Sequence, residues 1–188
     1  SSDVCSSDLP SNKKVALLIA VLAAFLAFSD TLGSSAQTEA LSRNIEASNL
    51  WSFFQAKTIR MTTLRTAAES LEVDAANAAT PEAKAVIDKR VASWKKTAER
   101  YDSEPETNEG RKELSARAKA SEQKRDRALA AYHQYEVASG ALQIAIVLAS
   151  ANVITGAAFL MWGAGALGVL GIVFAAIGFF APTAIHLF

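Results

Sequence analysis

The chain holds little of what most sites of chemistry are made from. Its 188 residues include one cysteine, Cys5, and two histidines, His133 and His186. A lone cysteine excludes an intrachain disulfide framework and any paired-thiol redox or zinc motif. Two histidines so far apart argue against a metal centre. Lysine and arginine together number 19, as do aspartate and glutamate, so no excess of basic charge points to nucleic acid as a partner. Nucleophile-base pairs, metal-ligand clusters and Gly-rich phosphate loops are missing as well. The sequence points away from an enzyme and implies no cofactor.

The most informative absence is local. From Val137 to Phe188 there is no Asp, Glu, Lys or Arg. A helix needs about 20 predominantly apolar residues to cross a bilayer, and this stretch supplies two such runs, 137–156 and 159–181. Thr155-Gly156-Ala157-Ala158 forms a turn between them, and Trp162 follows where an indole suits the lipid-water interface. Burying both runs inside a soluble core would need far more covering chain than is present. Lipid tails are as apolar as leucine, so helices in a bilayer associate through small residues that allow close approach. Ala138, Ala141, Ala145, Ala149, Asn152 and Gly156 recur at spacings of three and four, as do Ala164, Gly168, Gly171, Ala175 and Gly178. Asn152, Gly156, Gly168, Gly171 and Gly178 are therefore the expected packing residues. Asn152 and Gln143 are candidates for an interhelical hydrogen bond, or for the lining of a pore.

At the other end, residues 1–12 form a polar, repetitive opening in which Ser-Ser-Asp occurs twice. It is read as a disordered tail or an artefact of expression or assembly. Lys13 and Lys14 then precede an unbroken apolar run, Val15 to Phe28, and residues 13–33 are just long enough to span. A cleaved signal peptide is the competing reading, with Ser34-Ser35-Ala36 as its small-residue region. Ala16, Ala20, Ala23 and Ala27 favour a retained span, because they offer the same kind of small-residue seam as the C-terminal hairpin.

The intervening region, 34–136, is predicted to be a helical stalk with helices over about 38–76, 81–102 and 111–136. Ala47, Leu50, Phe54, Lys57, Met61, Leu64, Ala68, Leu71 and Ala75 alternate by three and four, the period of a left-handed coiled coil. Lys57 alone breaks the apolar pattern. Such a lysine snorkels or fixes register at some cost in stability, and no acid-base neighbour supports a catalytic role. Thr80-Pro81-Glu82 supplies an N-cap hydroxyl, a proline at the first helical position and an acid in the first turn. Ile87, Val91, Trp94, Ala98 and Tyr101 continue the period. Asp102 to Gly110 is an acidic turn, and Leu114, Ala118, Ser121, Arg125, Ala128, Tyr132 and Tyr135 form a third, weaker seam. At about 1.5 Å per residue, Thr38 to Asp74 would extend roughly 55 Å.

The stretch from Ala47 to Arg60, with Trp51, Phe53, Phe54 and Lys57 in it, resembles the bacterial membrane proteins grouped as domain-of-unknown-function family 4337. Leu142 to Ser150, followed by a Gly-rich last span ending Gly178-Phe179-Phe180, is similar to the same family. Members carry basic residues between the last two spans, where this chain has Gly156-Ala157-Ala158. The resemblance implies an architecture and no activity.

The expected fold is thus all-α, with three transmembrane helices and an extramembrane, coiled-coil-like stalk between the first and second. Lys13 and Lys14 favour a cytoplasmic N-terminus, which puts the stalk in the periplasm of a bacterial inner-membrane protein. The expected role is a non-enzymatic, homo-oligomeric scaffold that contacts the lipid bilayer and envelope proteins. Trp51, Phe53, Phe54, Gln55 and Lys57 are the candidate contact residues, or else they pack the stalk's own helices. The alternative is a small channel or transporter accessory lined by Asn152, Gln143 or Ser150.

Overall fold

The computed structural model describes residues 9–185, and every regular element among them is a helix. Helix α1 is Leu9–Ala76, α2 is Pro81–Asp102, α3 is Arg111–Thr155 and α4 is Ala158–Phe180. Helix α1 already includes 9–12, which the sequence assigns to a tail; residues 1–8, with Cys5, and 186–188, with His186, lie outside the described residues. The termini follow local chemistry. Thr80 Oγ1 accepts from the Ala83 N–H at 3.2 Å, with Pro81 and Glu82 opening α2 behind it. Gly156, at φ 69°, closes α3, and its N–H donates to the Asn152 carbonyl at 2.9 Å.

Helices α1, α3 and α4 are each long and apolar enough to cross a membrane. The chain divides into two compact units. One, the apolar unit, contains α1 up to Leu41 together with α3 from Lys124 and α4; the other, the polar unit, is Ser42–Gln123. This polar unit is shorter than the 34–136 region read from sequence, because α1 and α3 go on packing past the apolar run. Ala40 and Ala128 are both buried there.

In the apolar unit, small residues of α3 and α4 receive large ones from α1. Val15 packs with Ala149 and Ala164, and Leu22 with Leu142 and Ala145. A Cβ on Gly168 would stand 2.7 Å from Leu22 Cδ2, and one on Gly171 would stand 2.7 Å from Leu142 Cγ and 3.0 Å from the Ala138 carbonyl. The seam expected at Ala16, Ala20, Ala23 and Ala27 is therefore not the packing face, since all four are exposed. The small side of the contact is already supplied by α3 and α4, and Val15 and Leu22 of α1 fill the space against it. Leu17, Phe28, Val147, Phe159, Trp162, Val169, Phe179 and Phe180 point outward and are exposed.

The polar unit is three helices around a narrow core. Leu50, Leu114 and Ala118 are buried together, with Trp51 and Phe54 against them, and α2 contributes Val91 and Ala98. All nine α1 positions from Ala47 to Ala75 that carry the three-four period are buried or half-buried. The same period extends back to Val15: Val15, Ile19, Leu22, Leu26, Ser29, Gly33, Ala36 and Ala40 are also turned inward. A strict seven-residue repeat keeps one stripe of the helix against its neighbours.

Candidate functional site

The richest cluster of side chains lies in the polar unit, where the last turn of α2, the 103–110 turn and the first turn of α3 meet the middle of α1. Lys57 occupies a seam position of α1 and is buried. Its ammonium lies 3.7 Å from Glu104 Oε2 and 4.0 Å from Glu109 Oε2, and it faces the Tyr101 and Phe53 rings at 5.0 and 5.5 Å. A buried charge must find partners, and this one finds two carboxylates and two aromatic faces. Its stem fills the seam while its head ties the turn to α1.

Beside it, Arg111 ties the start of α3 to both α1 and α2. Its Nε donates to Thr58 Oγ1 at 2.9 Å, its Nη1 donates to Asp102 Oδ1 at 3.1 Å, and the guanidinium lies 5.0 Å from the centroid of the Phe54 ring. The planar fork of arginine suits such multiple recognition. Lys112 Nζ pairs with the other oxygen of Asp102 at 3.1 Å. The hydrogen bond from Lys112 holds the Asp102 carboxyl below its ordinary range; partial burial opposes it, and the charges of Lys112, Arg111 and Arg65 add to it.

Glu113 clamps the turn from the α3 side. The Ser103 hydroxyl donates to Glu113 Oε1 at 2.7 Å and the Glu104 N–H to Oε2 at 3.1 Å. The Ser103 bond is the chief reason the Glu113 carboxyl sits below its usual value. Gly110 is buried against this clamp, and a Cβ there would collide with Glu113, the Glu104 amide and Ser103. Asn108 takes a left-handed φ of 55°, a conformation asparagine tolerates well, and its carbonyl accepts from Arg117. One turn further along the unit, Trp51 Nε1 donates to Glu122 Oε1 at 2.8 Å, and its ring meets Phe54 edge-on at 5.4 Å.

The five residues read from sequence as contacts therefore divide. Trp51, Phe54 and Lys57 are used inside the polar unit, joining α1 to α2, α3 and the turn. Phe53, 39% exposed, and Gln55 remain at the surface. An open groove of about 480 Å³ runs past Phe54, Asp102, Arg111, Lys112, Ser115 and Lys119. Arg111, Asp102 and Glu113 were not singled out from sequence. The available signal was the acidic turn followed directly by Gly110-Arg111-Lys112, with a lone lysine on the facing seam. Among the described residues no group of three or more His, Cys, Asp or Glu stands close enough to hold a metal ion.

In the apolar unit, Gly168, Gly171 and Gly178 are buried at close helix approaches, Gly178 lying against Gln134 and Tyr135. Gly156 is different: it is exposed, nothing lies within 4 Å of a Cβ built on it, and its requirement is the positive φ of the turn. Asn152 is half-buried, while Gln143 and Ser150 are exposed. Helix-to-helix polar contacts come instead from Ser29, whose buried hydroxyl donates to the Tyr135 carbonyl at 3.2 Å. Gln134 Nε2 donates at 3.0 Å to the Ile185 carbonyl just beyond α4.

No curated protein and no solved structure matches the chain. A family model does, over residues 11–181, which takes in both units and all four helices. The chain belongs to the family described as Domain of unknown function (DUF4337).

Proposed function

We propose that this protein is a membrane-anchored, non-enzymatic scaffold whose polar three-helix unit self-associates or docks partner helices outside the bilayer. The observation that carries the reading is the outward face of the apolar unit. Phe28, Val147, Ile154, Phe159, Trp162, Val169 and Phe180 are between 64% and 87% exposed there. An apolar surface of that extent is stable only when lipid or protein covers it. Inside the unit, glycine and alanine meet leucine and valine at van der Waals distance, as helices do when packing rather than water expulsion holds them together.

The polar unit supports the scaffold half of the reading. Its ionic groups close on one another, with Arg111, Lys57 and Glu113 fixing the turn between α2 and α3, so its interior is committed to shape. What it offers other molecules is its surface. Lys13 and Lys14, next to the first apolar run, favour a cytoplasmic N-terminus, and this supports the reading of the polar unit as periplasmic in a bacterial inner membrane.

Single-cysteine labelling tests the assignment. Thr107 is exposed in the turn and takes no part in the Glu113 clamp. In a Cys5→Ser background, Thr107→Cys should react with a membrane-impermeant thiol reagent in intact cells whose outer membrane is permeable to it. Labelling only after lysis would move the polar unit to the cytoplasm, and release of the protein by an alkaline wash would remove the membrane reading itself.

A further inference from the structure

On a helix that packs against a core along one stripe, the stripe directly opposite faces water and normally collects the charge. Helix α1 does the reverse in the polar unit. The outward row Ile45, Asn49, Ser52, Ala56, Ile59 and Thr63 continues at the same alternating spacing to Val73 without a charged residue, and every position in it is exposed. The charges sit on the neighbouring exposed positions, at Glu46, Arg60, Arg65, Glu69, Glu72 and Asp74. Ile45, Ile59 and Val73 repeat every fourteen residues, and each is more than half exposed.

Two hydroxyls of the row are prepared for contact. The Ser52 hydroxyl donates to the Ser48 carbonyl and the Thr63 hydroxyl to the Ile59 carbonyl, both at 2.9 Å. Both donors are thus satisfied within α1, and packing against another surface leaves neither hydroxyl unpaired. Phe53 and Gln55 border the row on its two sides.

We infer that a second copy of this chain docks in parallel along the Ile45–Thr63 row of α1, in register. The inference rests on the membrane anchoring proposed above, because two chains inserted the same way run parallel. A two-fold axis between parallel helices sets each seam residue opposite its own copy. A lysine or glutamate in such a seam would meet itself, at a cost. A parallel self-interface therefore needs an uncharged seam, and this row meets that requirement. An unrelated partner would impose no such condition. Asn49 supplies the side-chain amide that fixes register in seams of this kind.

Disulfide cross-linking of the full chain in native membranes tests it. In the Cys5→Ser background, Ser52→Cys and Ile59→Cys should each give a dimer on mild oxidation, whereas Ala120→Cys, exposed on α3, should not. Adding Ala56→Glu to Ser52→Cys should lower the dimer yield several-fold, and adding Ala56→Leu should not. A dimer through Ala120→Cys with none through the row would overturn this assignment and leave the membrane scaffold standing. No dimer at any position, with the labelling of Thr107→Cys as expected, would overturn self-association along α1 and leave docking of a different partner. Release of the protein by an alkaline wash would remove the membrane anchoring, and with it the parallel arrangement on which the inference depends.

Discussion

The ammonium of Lys57 sits 5.0 Å from the centroid of the Tyr101 ring, tying the centre of α1 to the last turn of α2. A lysine on an otherwise apolar seam is thereby an internal fastening of the polar unit. Lys57→Ala removes the stem, the ring contacts and the partner of Glu104 together, and should lower stability by about 1–3 kcal/mol. Glu104 keeps Arg100 at 3.2 Å, which limits the loss. Lys57→Met fills the seam without a charge to desolvate and should cost less than half as much. Thermal unfolding of the full chain in nanodiscs followed by circular dichroism measures both; equal losses for Ala and Met would show that the charge is the important part.

The glycines of α4 differ in what surrounds them. Gly171→Val must displace Leu142 and the backbone at Ala138, and should destabilise the apolar unit by about 1–3 kcal/mol. Gly165 has nothing within 4 Å of an added Cβ, so Gly165→Ala should stay within about 0.5 kcal/mol of the parent chain. Unfolding in mixed micelles at increasing dodecyl sulfate fraction ranks the two.

At Gly156 the demand is on the backbone alone. With φ at 69° and open space around it, Gly156→Val should cost about 1–2 kcal/mol through conformation, and Gly156→Asn distinctly less. The same micelle titration separates them, and a Val variant as stable as the Asn one would mean that the turn is free to choose another conformation.

Acid should loosen the polar unit before it affects the apolar one. Asp102 and Glu113 bind protons less readily folded than unfolded, the first chiefly through Lys112 and the second chiefly through Ser103. Their contribution is complete above the ordinary carboxylate range and is lost as pH falls through the lowered folded values, so the decline begins below about pH 5. Melting curves recorded down that range should show it, and Asp102→Asn should be less stable at neutral pH and lose less on acidification.

Much of the fold was legible because its periods are strict. The stripe from Ala47 to Ala75 named the buried face of α1, lysine included, and Thr80-Pro81-Glu82 marked where α2 begins. The buried stripe in the first apolar run was not found, because alanines at Ala16, Ala20, Ala23 and Ala27 form an equally regular pattern. Which row faces inward depends on what the other helices offer, and Ala149, Ala164 and Gly168 call for bulk from α1. The cluster around Arg111 was hidden for a related reason. Phe54 and Thr58, one turn apart on α1, lie far in sequence from Asp102 and Arg111, and only the packing of three helices brings them to one guanidinium. Trp51 and Phe54 looked like contact residues because an aromatic on a stalk seam can serve either inside or outside.

Helix α4 carries Phe159 and Trp162 exposed at its start and Phe179 and Phe180 exposed at its end. From Phe159 to Phe180 the helix rises about 31 Å, close to the thickness of a bilayer's hydrocarbon layer. In lipid these aromatics act as the two jaws of a caliper. A thinner bilayer would force α4 to tilt and a thicker one would stretch lipid to its ends, each at a fraction of a kcal/mol per ångström of mismatch. The bilayer thickness that α4 would span with least distortion is thus written in the spacing of four rings.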